Sequence, residues 1–467
     1  MEESSIQAAA PHDVENPYVQ LETSMTEELD RLSPMSPSRC IFRVPHRLRC
    51  LSEKAYTPQV ISIGPLHHGN SALKVMEEHK MRSLQYFLGR TNSLSLKDYI
   101  RKIKDQEAKL RSCYSETIQL ESDEFVRMIL VDVIFIIEFL FGFSSPRVRD
   151  ENDCIFGEPL MQYDIVLDLV MLENQLPFFI LKDIFYGLND ADDRCLLVLS
   201  RNFLASVSSA FEGIVWNNLE TIKSSEVKHF VDLLRKLCID PILKEKSEEQ
   251  SKPTMVRLTP TSILNIQSMC LLFPLCPKKE EEQYKHTTTL SITKLHLAGV
   301  KFKVRSTMNL FEIKFVNGIL EIPELKTDDF TELTLRNLVA FEQCSVLDKY
   351  YISDYFSIMD MFLDTPKDVE LLVKYRIVEN ALGGGDDELS TMINRLSTGI
   401  LCDADKFYYG TLCQDLNKFC SSKWHKSIAN LKQNYFNTPW KTISFFAAVL
   451  LLILTMVQTI FSIISLP

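Results

Sequence analysis

Two adjacent histidines are the first residues in this sequence whose chemistry invites attention. His67 and His68 follow a turn signal at Gly64-Pro65 and precede Gly69. Neutral imidazoles are common metal ligands, but neighbouring side chains point in different directions, and no third ligand stands nearby at helical spacing. We therefore predict no metal site here and expect both rings to hydrogen-bond to the backbone of a loop.

Four carboxylates stand in very apolar stretches of the sequence. They are Asp132, Glu138, Asp168 and Glu173. Burial raises the pKa of a carboxyl group and can prepare it for acid–base catalysis. The simpler interpretation is that each accepts hydrogen bonds in a folded core, with Asn174 and Gln175 as partners. We favour this interpretation and name no catalytic residue.

The motifs of the commonest enzyme classes are missing from the sequence. It contains no G-x-S-x-G elbow, no H-E-x-x-H helix, no Walker loop and no G-x-G-x-x-G turn after a strand. Glu226 and His229 give a single Glu-x-x-His spacing, whereas di-iron bundles need two. The glycine run 383–385 is followed by three acidic residues that would repel phosphate, so we expect it to end one helix and begin the next. We predict no cofactor.

Charge and cysteine usage exclude further classes of protein. The net charge is -11, and nucleic-acid binding requires a concentrated positive surface, so nucleic acid is not expected as a partner. The twelve cysteines form no C-x-x-C pair, which argues against a zinc ribbon or a redox motif of that type. The N-terminus lacks the charged and apolar parts of a secretory signal peptide, so the thiols are expected to stay reduced.

Apolar periodicity predicts that a mainly α-helical fold positions these side chains. Residues 125–143 are apolar on nearly every side, which is typical of a helix buried in a large core. Leu96 to Ile118 carries an apolar stripe and is predicted to form one amphipathic helix. Pro177 is expected to start another helix at Phe178, because proline is favoured at the beginning of a helix.

One segment alternates with the period of a strand. Apolar and polar residues alternate between positions 300 and 323, and Asn317-Gly318 lies between two such runs. An Asn-Gly pair in this setting is a strong signal for a tight hairpin turn. We predict a small antiparallel β-hairpin at about 300–323, with a possible third strand, on the helical body.

The C-terminal segment predicts a transmembrane helix. No charged residue occurs from Thr442 to Pro467, and residues 443–466 are long enough to cross a bilayer core about 30 Å thick. We therefore expect membrane lipid to contact residues 443–466. Four lysines precede the segment and no charge follows it, so the positive-inside rule predicts a single-pass protein with its bulk in the cytosol. Those lysines are Lys423, Lys426, Lys432 and Lys441.

These signals divide the chain into three parts. Residues 1–38 contain Ser, Glu, Pro and Thr with few large apolar side chains, which predicts a disordered tail. Residues 39–436 are predicted to form the helical domain. Residues 437–467 are the predicted membrane anchor, with Pro439 as its first helical residue.

Several segments resemble, in order along the chain, those of one plant family. They are Cys40-Ile41-Phe42-Arg43-Val44-Pro45, Ile61-Ser62-Ile63-Gly64-Pro65-Leu66-His67-His68-Gly69, Leu172-Glu173-Asn174-Gln175-Leu176-Pro177, Asn317-Gly318-Ile319-Leu320-Glu321-Ile322-Pro323 and Tyr435-Phe436-Asn437-Thr438-Pro439-Trp440. On these segments the chain is identified as a member of plant domain-of-unknown-function family 247. The resemblance implies a plant membrane protein without established catalytic residues. Some grass members are linked to self-incompatibility, a recognition process in pollination.

Two functional hypotheses follow from the sequence, and a purely structural role stays open as a third. The first is a membrane-tethered interaction, recognition or signalling protein with unknown protein partners, which acts through its surface and N-terminal tail. The alternative is an unrecognised membrane-surface enzyme, with residues 56–69 and 172–177 converging on a pocket. A deep polar pocket that joins His67, His68 and Glu173 would favour the enzyme. Burial of these side chains in core contacts would favour the interaction protein.

Overall fold

The computed structural model describes most of the body of the chain and its C-terminal helix. The described residues are 18–31, 38–91, 94–145, 154–186, 193–211, 213, 215, 219, 222–239, 288–307, 309–421 and 439–464.

The fold is mainly α-helical, as the periodicity predicts. The helices are α1 (Val19–Arg31), α2 (His46–Arg49), α3 (Val75–Arg90), α4 (Leu96–Lys104), α5 (Glu107–Ser112), α6 (Ser122–Ser144), α7 (Cys154–Gly157), α8 (Pro159–Asp168), α9 (Phe178–Phe185), α10 (Asp193–Leu204), α11 (230–239), α12 (Ile292–Leu297), α13 (Thr331–Cys344), α14 (Tyr351–Phe362), α15 (Pro366–Lys374), α16 (Gly385–Ser397), α17 (Gly410–Ser421) and α18 (Pro439–Ile464).

Helix α6 lies at the centre of the larger hydrophobic core. It packs against α3, α4, α9 and α10, and nearly all its side chains from Phe125 to Leu140 are buried, with Arg127 exposed. Each large apolar side chain that is fully buried contributes about 1.5–3 kcal/mol relative to an exposed one. The predicted buried helix is confirmed, and so is the start of α9 at Phe178 directly after Pro177.

The stripe from Leu96 to Ile118 forms two helices, so the prediction of one helix is wrong. Helix α4 begins with a capping box made by Ser95 and Asp98, and it ends before α5 begins at Glu107. Beyond α5 the chain leaves helical geometry, because Tyr114 pairs as an isolated parallel bridge with Ile41. Periodicity cannot reveal a backbone contact between segments so far apart in sequence.

A three-stranded sheet occupies the segment that alternates. Its strands are β1 (Lys301–Arg305), β2 (Lys314–Val316) and β3 (Ile319–Pro323), in the order β1-β3-β2. Strands β2 and β3 form the predicted antiparallel hairpin, and Asn317 and Gly318 turn it with φ values of 53° and 79°.

Strand β1 is the third strand, and it is parallel to its neighbour, a direction that the sequence left open. Phe302 of β1 lies opposite Leu320 of β3. Phe311, which lies between β1 and β2 in the sequence, is buried in the core, and parallel strands need a connection of this kind between them. A second sheet consists of β4 (Leu325–Thr327) and β5 (Val378–Asn380), which are also parallel.

The glycine run 383–385 begins a helix but does not end one. It follows strand β5 after a short turn, and Gly384 is the N-cap of α16. The expectation of a preceding helix is therefore wrong, because the chain after α15 first forms β5, which pairs with β4.

The N-terminal segment that composition predicts to be disordered contains helix α1. Its sequence is rich in good helix formers and has no proline between Val19 and Arg31. Leu21, Met25 and Leu29 share one side of α1 and are 59%, 53% and 62% exposed. Helix α1 thus presents an apolar stripe to solvent.

Helix α18 contains the segment predicted to enter the membrane. From Ile443 to Phe461 it is 19 residues long, has a mean hydropathy of 2.4 and buries none of that surface against the rest of the chain. Thr455 and Thr459 donate their hydroxyl hydrogen bonds to the carbonyls of Leu451 and Thr455, at 2.7 Å each. The helix is long and apolar enough to span a bilayer, with these hydroxyls satisfied on its own backbone.

Candidate functional site

Two of the buried carboxylates, Asp168 and Asp132, hold one loop, residues 59–64, which we call the clamped loop. Asp168, the last residue of α8, accepts hydrogen bonds from the backbone N–H groups of Gln59 (2.9 Å), Val60 (2.7 Å) and Ile61 (2.8 Å). Burial raises the pKa of Asp168 to about 6, although these three donors oppose the shift. The carboxylate is committed to holding backbone, as expected for a buried acceptor.

The amides of Asn174 and Gln175 hold the clamped loop and a neighbouring helix. Asn174 accepts from the N–H of Ile63 at 2.6 Å and donates to the carbonyl of Ile61 at 3.0 Å. Gln175 accepts from the N–H of Phe230 at 3.0 Å. Hydrogen-bonded burial of this turn is confirmed. The expected pairing of the amides with the four carboxylates is wrong, because these amides bind backbone atoms.

A buried ion pair fixes the other side of the clamped loop. Lys80 of α3 donates to Asp132 of α6 at 2.7 Å, to the Ser62 carbonyl at 2.5 Å and to Glu77 at 2.6 Å. The second oxygen of Asp132 accepts from the Gly64 N–H at 2.8 Å. Burial lowers the pKa of Lys80, but the two carboxylates outweigh it and hold the pKa above its ordinary value.

Glu173 is the centre of a second cluster, which joins α2 to the turn after α8. Its carboxylate accepts from the Val44 N–H at 2.6 Å, pairs with Arg43 at 3.1 Å and with Arg49, and lies 3.2 Å from Nε2 of His67. Burial alone would raise the pKa of Glu173, yet these donors, with His67 first, hold the pKa below its ordinary value. The carboxylate is fully enclosed.

The remaining candidates from the sequence are dispersed. His68 faces Glu124 at 3.7 Å, so only His67 joins Glu173, and it meets a side chain where a backbone partner was expected. Glu138 binds Arg90 at 2.5 Å. His229 contacts the carbonyl of Cys40 at 2.9 Å, and burial lowers its pKa to about 4. Within the described ranges, no three His, Cys, Asp or Glu side chains are grouped closely enough to hold a metal ion.

These clusters lie within the part of the chain that matches a known family. A family model described as "DUF247: Plant protein of unknown function" matches residues 41–454. The chain belongs to the DUF247 family.

Similar proteins extend over nearly all of this DUF247 chain. UPF0481 protein At3g47200 of Arabidopsis thaliana is 28% identical, with 92% of this chain and 87% of that protein aligned. Putative UPF0481 protein At3g02645 of the same plant is 26% identical, with 94% and 93% covered. Their names state no activity. No solved structure matches this DUF247 chain.

Asn337 and Glu342 connect distant parts of this DUF247 fold. The sequence patterns do not identify either of them as a structural residue. Asn337 of α13 donates to the carbonyl of Ala55 at 2.7 Å and accepts from the N–H of Leu172 at 2.8 Å. Glu342 pairs with Arg235 at 2.8 Å and accepts from N–H groups at the start of α14. A polar residue at a buried position of an apolar helix was the available signal, but it does not name the distant partner.

A groove of about 460 Å³ lies beside the three-stranded sheet. Arg305 and Lys326 line it, but Arg305 is bound by Glu312 and by Glu321 (2.9 Å), and Lys326 lies 3.4 Å from Glu379. The positive charges are thus matched by nearby carboxylates. Neither His67 nor Glu173 lines this groove, so it does not supply the pocket that the enzyme hypothesis requires.

Proposed function

We propose that this DUF247 chain is a membrane-tethered interaction protein, with its helical body in the cytosol and α18 in the bilayer. The observation that carries the proposal is the apolar surface of Ile443–Phe461, none of which is buried against the rest of the chain. Twelve of these residues are Leu, Ile, Phe or Val, and each favours insertion by about 0.3–0.6 kcal/mol near the helix centre. Exposure of so large an apolar surface to water is unfavourable, whereas its burial in lipid is favourable.

The buried polar clusters support interaction over catalysis. Asp132, Asp168 and Glu173 each bind backbone N–H groups, and two of them also bind cationic side chains. A catalytic carboxylate needs access to a substrate proton, and these groups are enclosed by the segments they hold. Their role in the proposal is to keep the body rigid.

Helix α1 supplies a surface for a partner of definite chemistry. The apolar stripe of Leu21, Met25 and Leu29 is flanked on its two sides by Glu22 and Glu28, which helical spacing places at the stripe's edges. Negative flanks disfavour an anionic lipid surface. The complementary partner is a protein with an apolar groove bordered by Lys or Arg, a common mode of helix recognition.

Deleting residues 442–467 is expected to release the protein from membranes. Full-length and truncated chains are expressed in plant cells, and microsomes are washed with sodium carbonate. The full-length chain should stay in the pellet and the truncated chain should become soluble, because the main apolar surface for lipid is gone. A control chain with an unrelated apolar segment of equal length should return to the pellet. A truncated chain that resists carbonate contradicts a single anchor.

The orientation is tested on the same membranes. Protease added to sealed microsomes should digest the body, since the proposal places it on the cytosolic side. A protected body, digested only after detergent is added, would reverse the proposed orientation without affecting the anchor itself.

The role of α1 is tested with a photo-crosslinking amino acid. Placed at Met25 of the full-length chain, it should crosslink to a basic protein, and the product should decrease about tenfold or more when Leu21 and Leu29 are changed to Ser. The same probe at Gln20, on the opposite side of α1, is the matched control. Equal crosslinking at both positions, or products formed with lipid or a second copy of the chain, would contradict the proposed partner.

A further inference from the structure

The beginning of the described body is paired with the end of α5. Ile41 and Tyr114 form a parallel bridge, so Cys40 and Cys113 stand opposite one another in the same register. The Cys40 N–H donates to the Cys113 carbonyl at 2.9 Å, and the Ser115 N–H donates to the Ile41 carbonyl at 2.9 Å. We call this pairing of residues 38–43 with 112–116 the strap.

The strap brings two free thiols into contact. Cys40 and Cys113 belong to the same small cluster of buried side chains, and both cysteines are free and buried. Neighbouring strands lie about 4.8 Å apart, which falls within the Cα separation of about 4.4–6.8 Å that a disulfide spans. The backbone therefore already has the spacing that a bond between the two sulfurs requires.

The two thiols are chemically unequal. Cys113 also donates to the Lys109 carbonyl at 3.4 Å. The hydrogen bond from Cys40 lowers the pKa of Cys113, and the Lys109 charge adds to this effect. The same contact raises the pKa of Cys40. Since the thiolate is the reactive form, the Lys109 cation one helical turn before Cys113 favours Cys113 as the nucleophile of the pair and Cys40 as the resolving thiol.

We propose that Cys40 and Cys113 are a redox modification site that forms a reversible disulfide with a hydroperoxide as the oxidant. The Cys113 thiolate attacks one oxygen of hydrogen peroxide and the O–O bond breaks. Cys113 becomes a sulfenic acid, and the hydroxide that leaves takes up the proton lost by the thiol and departs as water. The Cys40 sulfur then attacks the Cys113 sulfur and a second water leaves. Two thiols lose two electrons and two protons to the peroxide, and a dithiol reverses the reaction by exchange.

The position of the strap gives the disulfide a structural effect. Ser38 and Arg39 lie at its open end and are at least partly exposed, so local opening admits a small peroxide. Once formed, the disulfide links residues 40 and 113 covalently. It fixes the start of the body, to which the segment that carries α1 is attached. The inference concerns the body alone and does not depend on α18 lying in lipid.

The test uses the full-length chain in non-ionic detergent, treated with hydrogen peroxide, alkylated and digested for mass spectrometry. A crosslinked peptide that contains Cys40 and Cys113, lacks two hydrogens and disappears with dithiothreitol is expected. Alkylation of both cysteines should be lost, whereas buried Cys238 serves as the control and should remain a thiol. Peroxide applied to the chain in guanidinium should give unselective pairing. Absence of the crosslinked peptide from the folded protein overturns the proposal.

A variant identifies the order of attack. In Cys40→Ser, peroxide should leave a sulfenic acid on Cys113 that dimedone traps, because the resolving thiol is missing. In Cys113→Ser, Cys40 should give no dimedone adduct. Circular dichroism confirms that each variant is folded before treatment. Trapping on Cys40 in place of Cys113 would refute the assigned roles, and preferential pairing of Cys113 with another cysteine would refute the site.

Discussion

Replacing Asp132 with alanine is expected to lower the free energy of unfolding by about 3–5 kcal/mol, the usual cost of removing one member of a buried ion pair, because the remaining partner of Lys80, Glu77, is partly exposed. Lys80 and Asp132 are each about 1% exposed, so water cannot replace the missing carboxylate. The Gly64 N–H loses its acceptor as well. Urea unfolding of the full-length chain in detergent, followed by circular dichroism, measures the loss.

Two further variants distinguish the free-energy cost of an unpaired buried charge from the cost of lost packing. Changing both members of the pair, Lys80→Met with Asp132→Leu, should cost less than Asp132→Ala alone, because no unpaired charge remains. Glu78→Ala removes a carboxylate from an exposed pair with Arg82 on the same helix and should leave the unfolding curve almost unchanged. A double variant that is less stable than Asp132→Ala would show that the ion pair is not the source of the effect.

Gly64→Ala is the second substitution with a large expected effect. Gly64 has a φ of +71°, and an added Cβ would lie 2.8 Å from the Gln175 carbonyl oxygen and 3.0 Å from the Tyr114 hydroxyl. The left-handed backbone costs about 1–2 kcal/mol for a residue with a side chain, and overpacking adds about 1–3 kcal/mol. We expect a total loss of about 2–5 kcal/mol by the same urea measurement.

Gly69 provides the matched control for this substitution. Its φ is +80°, but nothing lies within 4 Å of an added Cβ. Gly69→Ala should therefore show the backbone cost alone, about 1–2 kcal/mol, and the difference between the two variants isolates the close approach of Gly64 to Gln175. Equal losses at both positions would mean that the clamped loop gives way to relieve the contact.

Local signals in the sequence were sufficient for several elements. The buried helix α6, the start of α9 after Pro177 and the turn at Asn317-Gly318 each depend on residues that are neighbours in the chain. The length and apolar character of α18 could also be predicted from composition. Such features are decided by periodicity, proline and glycine chemistry.

Features that depend on distant partners could not be predicted. Asp168 was recognised as a buried carboxylate, but its donors lie more than one hundred residues earlier, at 59–61. The parallel pairing of β1 with β3 and the break after α5 also come from contacts across the fold. The burial of α6 was predictable, whereas the pairing of its Asp132 with Lys80 required the structure.

Asn337 has a consequence for how the body responds to stress. One amide joins Ala55, near the beginning of the body, to Leu172 and to α13, so three regions separated by more than a hundred residues share one set of hydrogen bonds. If any one of these three regions unfolds, buried polar atoms of the other two lose their hydrogen-bond partners, which costs free energy. We therefore expect the early and late parts of the chain to unfold as one cooperative unit, so that a substitution that destabilises either part lowers the stability of the whole body.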